Sequence, residues 1–87
     1  MNSETRYAKL RVALASQIRS IRARRGISQE ELAFLAGLHR TYISLVERSK
    51  KSLTVDSLAR IASALDIEPS KLLASAEKKC SAKGGAK

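Results

Sequence analysis

The stretch from Ile27 to Arg48, ISQEELAFLAGLHRTYISLVER, leaves its backbone few choices. Ser28, with Glu31 three residues on, forms a capping box in which each side chain satisfies the other's free backbone amide, and this opens a helix over Gln29 to Ala36. Gly37 stands where that helix must stop. Its tolerance of positive φ suits a turn of about three residues before a second short helix from Arg40 to Arg48. Leu32, Ala33 and Ala36 on the first helix, with Ile43 and Val46 on the second, give a small-residue contact across which two helices cross closely and steeply. Ala33 is expected to be buried at that crossing.

The rest of the chain shows helical rather than strand spacing. Leu10, Leu14, Ile18 and Ile21 share one face of a first helix running from about Arg6 to Arg25, with Gly26 as its C-terminal cap and Arg11, Arg19 and Arg22 on the opposite face. Thr54 is an N-cap for a fourth helix to Leu65, with Leu58, Ile61, Ala62 and Leu65 as its buried stripe and Asp56 and Ser57 facing outward. Pro69 suits the first turn of a fifth helix, whose apolar contacts come from Leu72 and Leu73. The expected fold is all-α with five helices. Residues 1–13 extend the first helix, 14–76 form the domain, and 77–87, with four lysines and two adjacent glycines, read as a disordered basic tail.

With 87 residues the chain builds one core, and no apolar run approaches the roughly 20 residues that cross a bilayer. Seventeen Lys and Arg against eight Asp and Glu give a formal charge of +9, which favours a polyanionic partner. One cysteine, Cys80, and one histidine, His39, supply neither an internal disulfide nor a redundant zinc or nucleophile set, so no metal, cofactor or catalytic residue is expected. Glu30 and Glu31 are helix-end residues; adjacent helical positions point about 100° apart and make no catalytic pair. The protein is expected in the cytoplasm, associated with the nucleoid.

Around the second short helix, Ile43, Val46 and the ring of Tyr42 fall on one side, and Arg40, Thr41, Ser44 and Arg48 on the other. The free side has the chemistry of a major-groove reader: a guanidinium donates two bonds to guanine, hydroxyls pair with several base edges, and a threonine methyl touches thymine. Arg40, Thr41 and Ser44 are the base-reading candidates. Ser28 and Gln29, at the start of the preceding helix, and Tyr42, Arg48, Lys50, Lys51 and Ser52 are candidates for backbone phosphates, which position a protein without specifying sequence. Tyr42 has two open roles, packing or phosphate contact. Arg19, Arg22, Arg24 and Arg25 read either as a solvated face or as further backbone neutralisers.

From Leu14 to Leu73 the chain resembles the lambda-repressor-like, or Xre, family of helix-turn-helix DNA-binding domains. The matching landmarks are Ile18-Arg19, Arg25-Gly26-Ile27-Ser28-Gln29-Glu30-Glu31-Leu32-Ala33, Gly37-Leu38, Tyr42-Ile43-Ser44 and Glu47-Arg48. More narrowly, LAFLAGLHRTYISLVER followed by SLTVDSLARIASALDIEP is similar to the controller proteins of restriction-modification systems. That resemblance implies a small homodimer on double-stranded DNA that binds repeated operator half-sites and regulates its own gene and the endonuclease. It also implies that the positions of Arg40, Thr41 and Ser44 lie near base edges and those of Gln29 and Tyr42 near phosphates. Two features depart from the pattern. His39 stands where many relatives carry an Asp, Ser or Asn cap, and Ser49-Lys50-Lys51-Ser52 lacks the glycine often found after Glu-Arg.

The expected operator is an approximate palindrome with half-sites ~34 Å apart. Ile67, Leu72 and Leu73 are the candidate dimer contacts, and no small-molecule ligand is expected, since no second domain is present. The alternative is an antitoxin-like or coactivator-like module that uses the same fold to hold another protein, because fold alone does not determine function. A third reading is nonspecific, nucleoid-type DNA binding.

Overall fold

A computed structural model describes the backbone of residues 3–85 and the side-chain surroundings of residues 7–80. Among the described residues five helices follow one another: α1 (Ser3–Arg24), α2 (Gln29–Ala36), α3 (Arg40–Glu47), α4 (Val55–Ala64) and α5 (Pro69–Gly85). Their bounds follow local chemistry. The Ser28 hydroxyl accepts from the Glu31 amide at 3.0 Å while the Ser28 amide donates to Glu31 Oε1 at 2.9 Å, so the capping box is formed in both directions. Gly37 closes α2 in the left-handed region at φ 69°. Thr54 caps α4 by accepting from the Ser57 amide at 3.0 Å.

The core is one cluster to which every helix contributes. Ile18 and Ile21 of α1, Leu32, Ala33 and Ala36 of α2, Ile43 and Val46 of α3, Ile61 and Ala62 of α4, and Leu72 and Ala76 of α5 are all buried, with Leu65 just beyond α4. Ala33 is buried, as its small side chain allows, in the core that α2 and α3 share.

Three expectations are corrected. The segment from residue 77 is not a disordered tail: α5 continues to Gly85, Lys79 Nζ donates to Ser16 Oγ at 2.6 Å, and Cys80 packs partly buried against the core. Residues 86–87 of that segment lie outside the described residues. The helix persists because α1 is long enough to receive it: Gln17 Nε2 donates to Ser75 Oγ at 3.0 Å, and Ala76 is completely buried beside it. Secondly, Ser57 does not face outward. It is buried, and its hydroxyl accepts from Thr54 Oγ1 at 3.0 Å, which removes the cost of hiding it. Thirdly, Leu72 is fully buried within the single chain and offers nothing to a dimer partner, whereas Ile67 and Leu73 are only partly buried.

Candidate nucleic-acid interface

The face of interest is built on α3. Ile43 and Val46 pin one side of this helix to the core, which turns Arg40 and Thr41 out into solvent and leaves Ser44 half-exposed between them and Arg48. The three base-reading candidates therefore share one accessible face. Its N-cap, His39, has the extended backbone of a cap at φ −75° and ψ 142°, but its exposed side chain makes no capping bond. The first turn of α3 thus keeps free amides at its positive end, where anions are favoured.

The turn leading into α3 is held from behind. Gly37 is at φ 69°, and a Cβ added there would lie 3.0 Å from Arg60 Nη1. The Arg60 guanidinium spans the gap between α4 and the turn, pairing with Asp56 Oδ2 at 2.9 Å and donating to the Ala36 carbonyl at 3.4 Å. The left-handed backbone favours glycine here, and a side chain would also make the Arg60 guanidinium give way.

At the other end of α3 lies a residue that the sequence marks only as a landmark of the family resemblance. Glu47 is buried, and its carboxylate accepts from Arg22 Nε at 2.7 Å, Arg22 Nη2 at 3.0 Å and Gln29 Nε2 at 2.9 Å. Arg22 Nη1 donates to the Ile27 carbonyl at 2.9 Å, and Arg19 Nη1 donates to the Glu47 carbonyl. Arg22 is accordingly not part of a solvated face. Its fork is drawn inward, where it joins α1, the α1–α2 connection and the end of α3. A buried carboxylate is tolerable only when it is paired and its lone pairs are satisfied, as they are here. No local pattern points to the pair, because Arg22 and Glu47 are 25 residues apart.

The remaining phosphate candidates fall into two groups. Ser28 and Gln29 lie at the start of α2, but the capping box uses the Ser28 amide and hydroxyl oxygen, and Gln29 is tethered to Glu47. Arg48, Lys50, Lys51 and Ser52 are exposed beyond α3. Tyr42 is partly packed against the core and also donates its hydroxyl to the Ser52 carbonyl at 3.2 Å, tying this loop to the reading helix. The missing glycine is accounted for: Ser49 itself takes the left-handed conformation at φ 61°, with its amide bonded to the Val46 carbonyl at 3.0 Å and the Lys50 amide to the Leu45 carbonyl at 2.8 Å. Among the described residues, no His, Cys, Asp or Glu cluster could hold a metal ion, and no helix is long and apolar enough to cross a membrane.

The sequence profile of the helix-turn-helix family matches residues 18–72, and the chain belongs to that family. It is similar to the control protein C.SmaI of Serratia marcescens, with 42% identity over 67 residues that cover 77% of this chain and 80% of the relative. The crystal structure of the restriction-modification controller protein C.AhdI from Aeromonas hydrophila matches with a TM-score of 0.69 at 42% identity, covering 71% of this chain and 94% of that one. The controller protein C.Esp1396I, crystallised as a tetramer with its natural 35 base-pair operator, matches with a TM-score of 0.75 at 34% identity, covering 82% of this chain and 93% of that one. These relatives identify the type within the family: a DNA-binding regulator of the restriction-modification controller kind.

Proposed function

We propose that this chain acts as a homodimer on an approximately palindromic operator, each subunit laying α3 in a major groove. The observation that carries the reading is the division of α3 into a buried side, Ile43, Val46 and Glu47, and an accessible side bearing Arg40, Thr41 and Ser44. Arg40 reads guanine through its guanidinium, while Thr41 and Ser44 contact neighbouring base edges. Arg48, Lys50, Lys51 and Ser52 hold the flanking phosphates, together with the first-turn amides of α2 that the capping box leaves free. The operator complex of C.Esp1396I supports a double-stranded DNA partner and an oligomeric regulator. After Leu72 is set aside, Ile67 and Leu73 remain as dimer contacts. Such a regulator works in the cytoplasm, where its operators are.

Selection of bound fragments from random duplex DNA at near-physiological salt, followed by sequencing, tests this. A two-fold symmetric consensus is the expected result, and no enrichment over background would overturn the reading.

One observation favours a second reading, in which the domain holds a protein partner. Phe34 is 85% exposed and Leu35 58% exposed on neighbouring positions of α2. Two large apolar groups exposed side by side on one short helix have the chemistry of a partner-binding surface. This reading predicts DNA binding that is weak and indifferent to sequence, so the same selection separates the two.

A further inference from the structure

We infer that α1 supplies a phosphate anchor outside the helix-turn-helix: Arg11, opposite Lys51 in a cleft, binds the backbone of the same duplex that α3 reads. The inference rests on the DNA-reading function proposed above and extends its footprint. More than half of α1 precedes residue 18, where the family match begins. This added length runs alongside the loop that follows α3, and the two enclose a cleft. Its floor and walls are mainly apolar, Leu14 and Val46 being buried at the bottom, and its charge comes from Arg11 and Lys51, exposed at the rim with Tyr7 and Ser52.

Two observations select phosphate as the occupant. The first is charge. Arg11 from α1 and Lys51 from the loop bring two cations to one cleft, and neither pairs with a carboxylate among the described residues. Both side chains are exposed, so an anion entering the cleft meets two positive charges with no competing carboxylate among the described residues. The second is continuity. Val46 belongs to α3, and the Ser52 carbonyl accepts the Tyr42 hydroxyl at 3.2 Å, so one wall of the cleft is fastened directly to the reading helix. Lys51 both lines the cleft and is one of the phosphate candidates beyond α3, so a duplex backbone held at Lys51 lies at this cleft.

The test uses the full chain, a short duplex carrying the selected operator and a random-sequence duplex of equal length, with affinity measured from ~50 to ~200 mM salt. Arg11→Ala is expected to weaken both duplexes by the same factor and to lower the slope of log K against log salt by about 0.9, while Arg11→Lys retains the wild-type slope. Lys9→Ala is the control: it removes one charge from an exposed position of α1 that does not line the cleft, about 200° around the helix from Arg11, and is expected to leave the slope unchanged. An unchanged slope in Arg11→Ala, or an equal change in Lys9→Ala, overturns the anchor while leaving the reading function standing. Failure of the wild-type chain to prefer the operator duplex overturns the reading itself.

Discussion

Arg22 and Glu47 meet in a two-pronged ion pair, Nε to Oε2 at 2.7 Å and Nη2 to Oε1 at 3.0 Å, that fastens the end of the reading helix to α1. The Glu47 side chain is 1% exposed and that of Arg22 19%, so the pair is screened little by solvent. Removing either partner leaves a charge stranded in the interior. Arg22→Ala and Glu47→Ala should each lower stability by roughly 3–5 kcal/mol in chemical denaturation. Arg22→Lys, which keeps the charge but loses the planar fork, should fall between wild type and Arg22→Ala. A loss below about 1 kcal/mol for both alanine variants would show that the pair is dispensable.

Readout and anchoring separate by substitution. Arg40→Ala should cost ~1–3 kcal/mol on the selected operator and relax the preference at one base pair, whereas Lys50→Ala should weaken all sequences alike and lower the salt slope by about one. Fluorescence anisotropy titrations on operator and random duplexes distinguish the two patterns. Equal losses on both duplexes for Arg40→Ala would contradict its reading role.

Two left-handed positions are occupied by different residue types, with opposite consequences. Gly37→Ala places a Cβ in the left-handed region and against Arg60 Nη1, and should destabilise the fold by ~1–2 kcal/mol. Ser49 already bears that backbone conformation with a side chain, so Ser49→Gly should stabilise by ~0.5–1 kcal/mol once the greater freedom of glycine in the unfolded chain is offset. Urea titrations of both variants decide the matter, and a destabilised Ser49→Gly would refute the account of that loop.

Neighbouring leucines on α5 should behave differently. Leu72→Ala removes a fully buried side chain and should cost ~2–5 kcal/mol of stability in the single chain. Leu73→Ser combined with Ile67→Ser touches only partly buried positions and should shift the monomer–dimer balance in analytical ultracentrifugation while leaving a folded protein. An unaltered dimer in the double variant would move the interface elsewhere.

Local chemistry reaches a definite distance along this chain. The capping box of Ser28 and Glu31, the Gly37 turn and the Thr54 cap each depend on atoms within a few residues of one another, and each is legible in the order of residues. The accessible face of α3 is legible for the same reason, since helical periodicity separates Arg40, Thr41 and Ser44 from Ile43 and Val46. Leu72 and Leu73 defeat that reasoning. Both are apolar and adjacent, and which one enters the core depends on the rotation of α5 against α1.

Short-range chemistry therefore sets the five helices, the start and end of α2, and the side of α3 that is free to read, and all of this follows from residue order. Folding in three dimensions decides that Arg22 leaves the solvent for Glu47, that Ser57 is buried, and that α5 continues past residue 77. For Arg22 and α5 the outcome depends on a partner brought close by the fold, and for Ser57 on how α4 packs against the core. Arg22 needs a carboxylate 25 residues away, and the lysine-rich end of α5 needs Ser16 and the long first helix to pack against. Burial and pairing energies of that kind override local preference, because a helix, a charge or a hydroxyl is stabilised by what surrounds it, and those surroundings exist only in the folded chain.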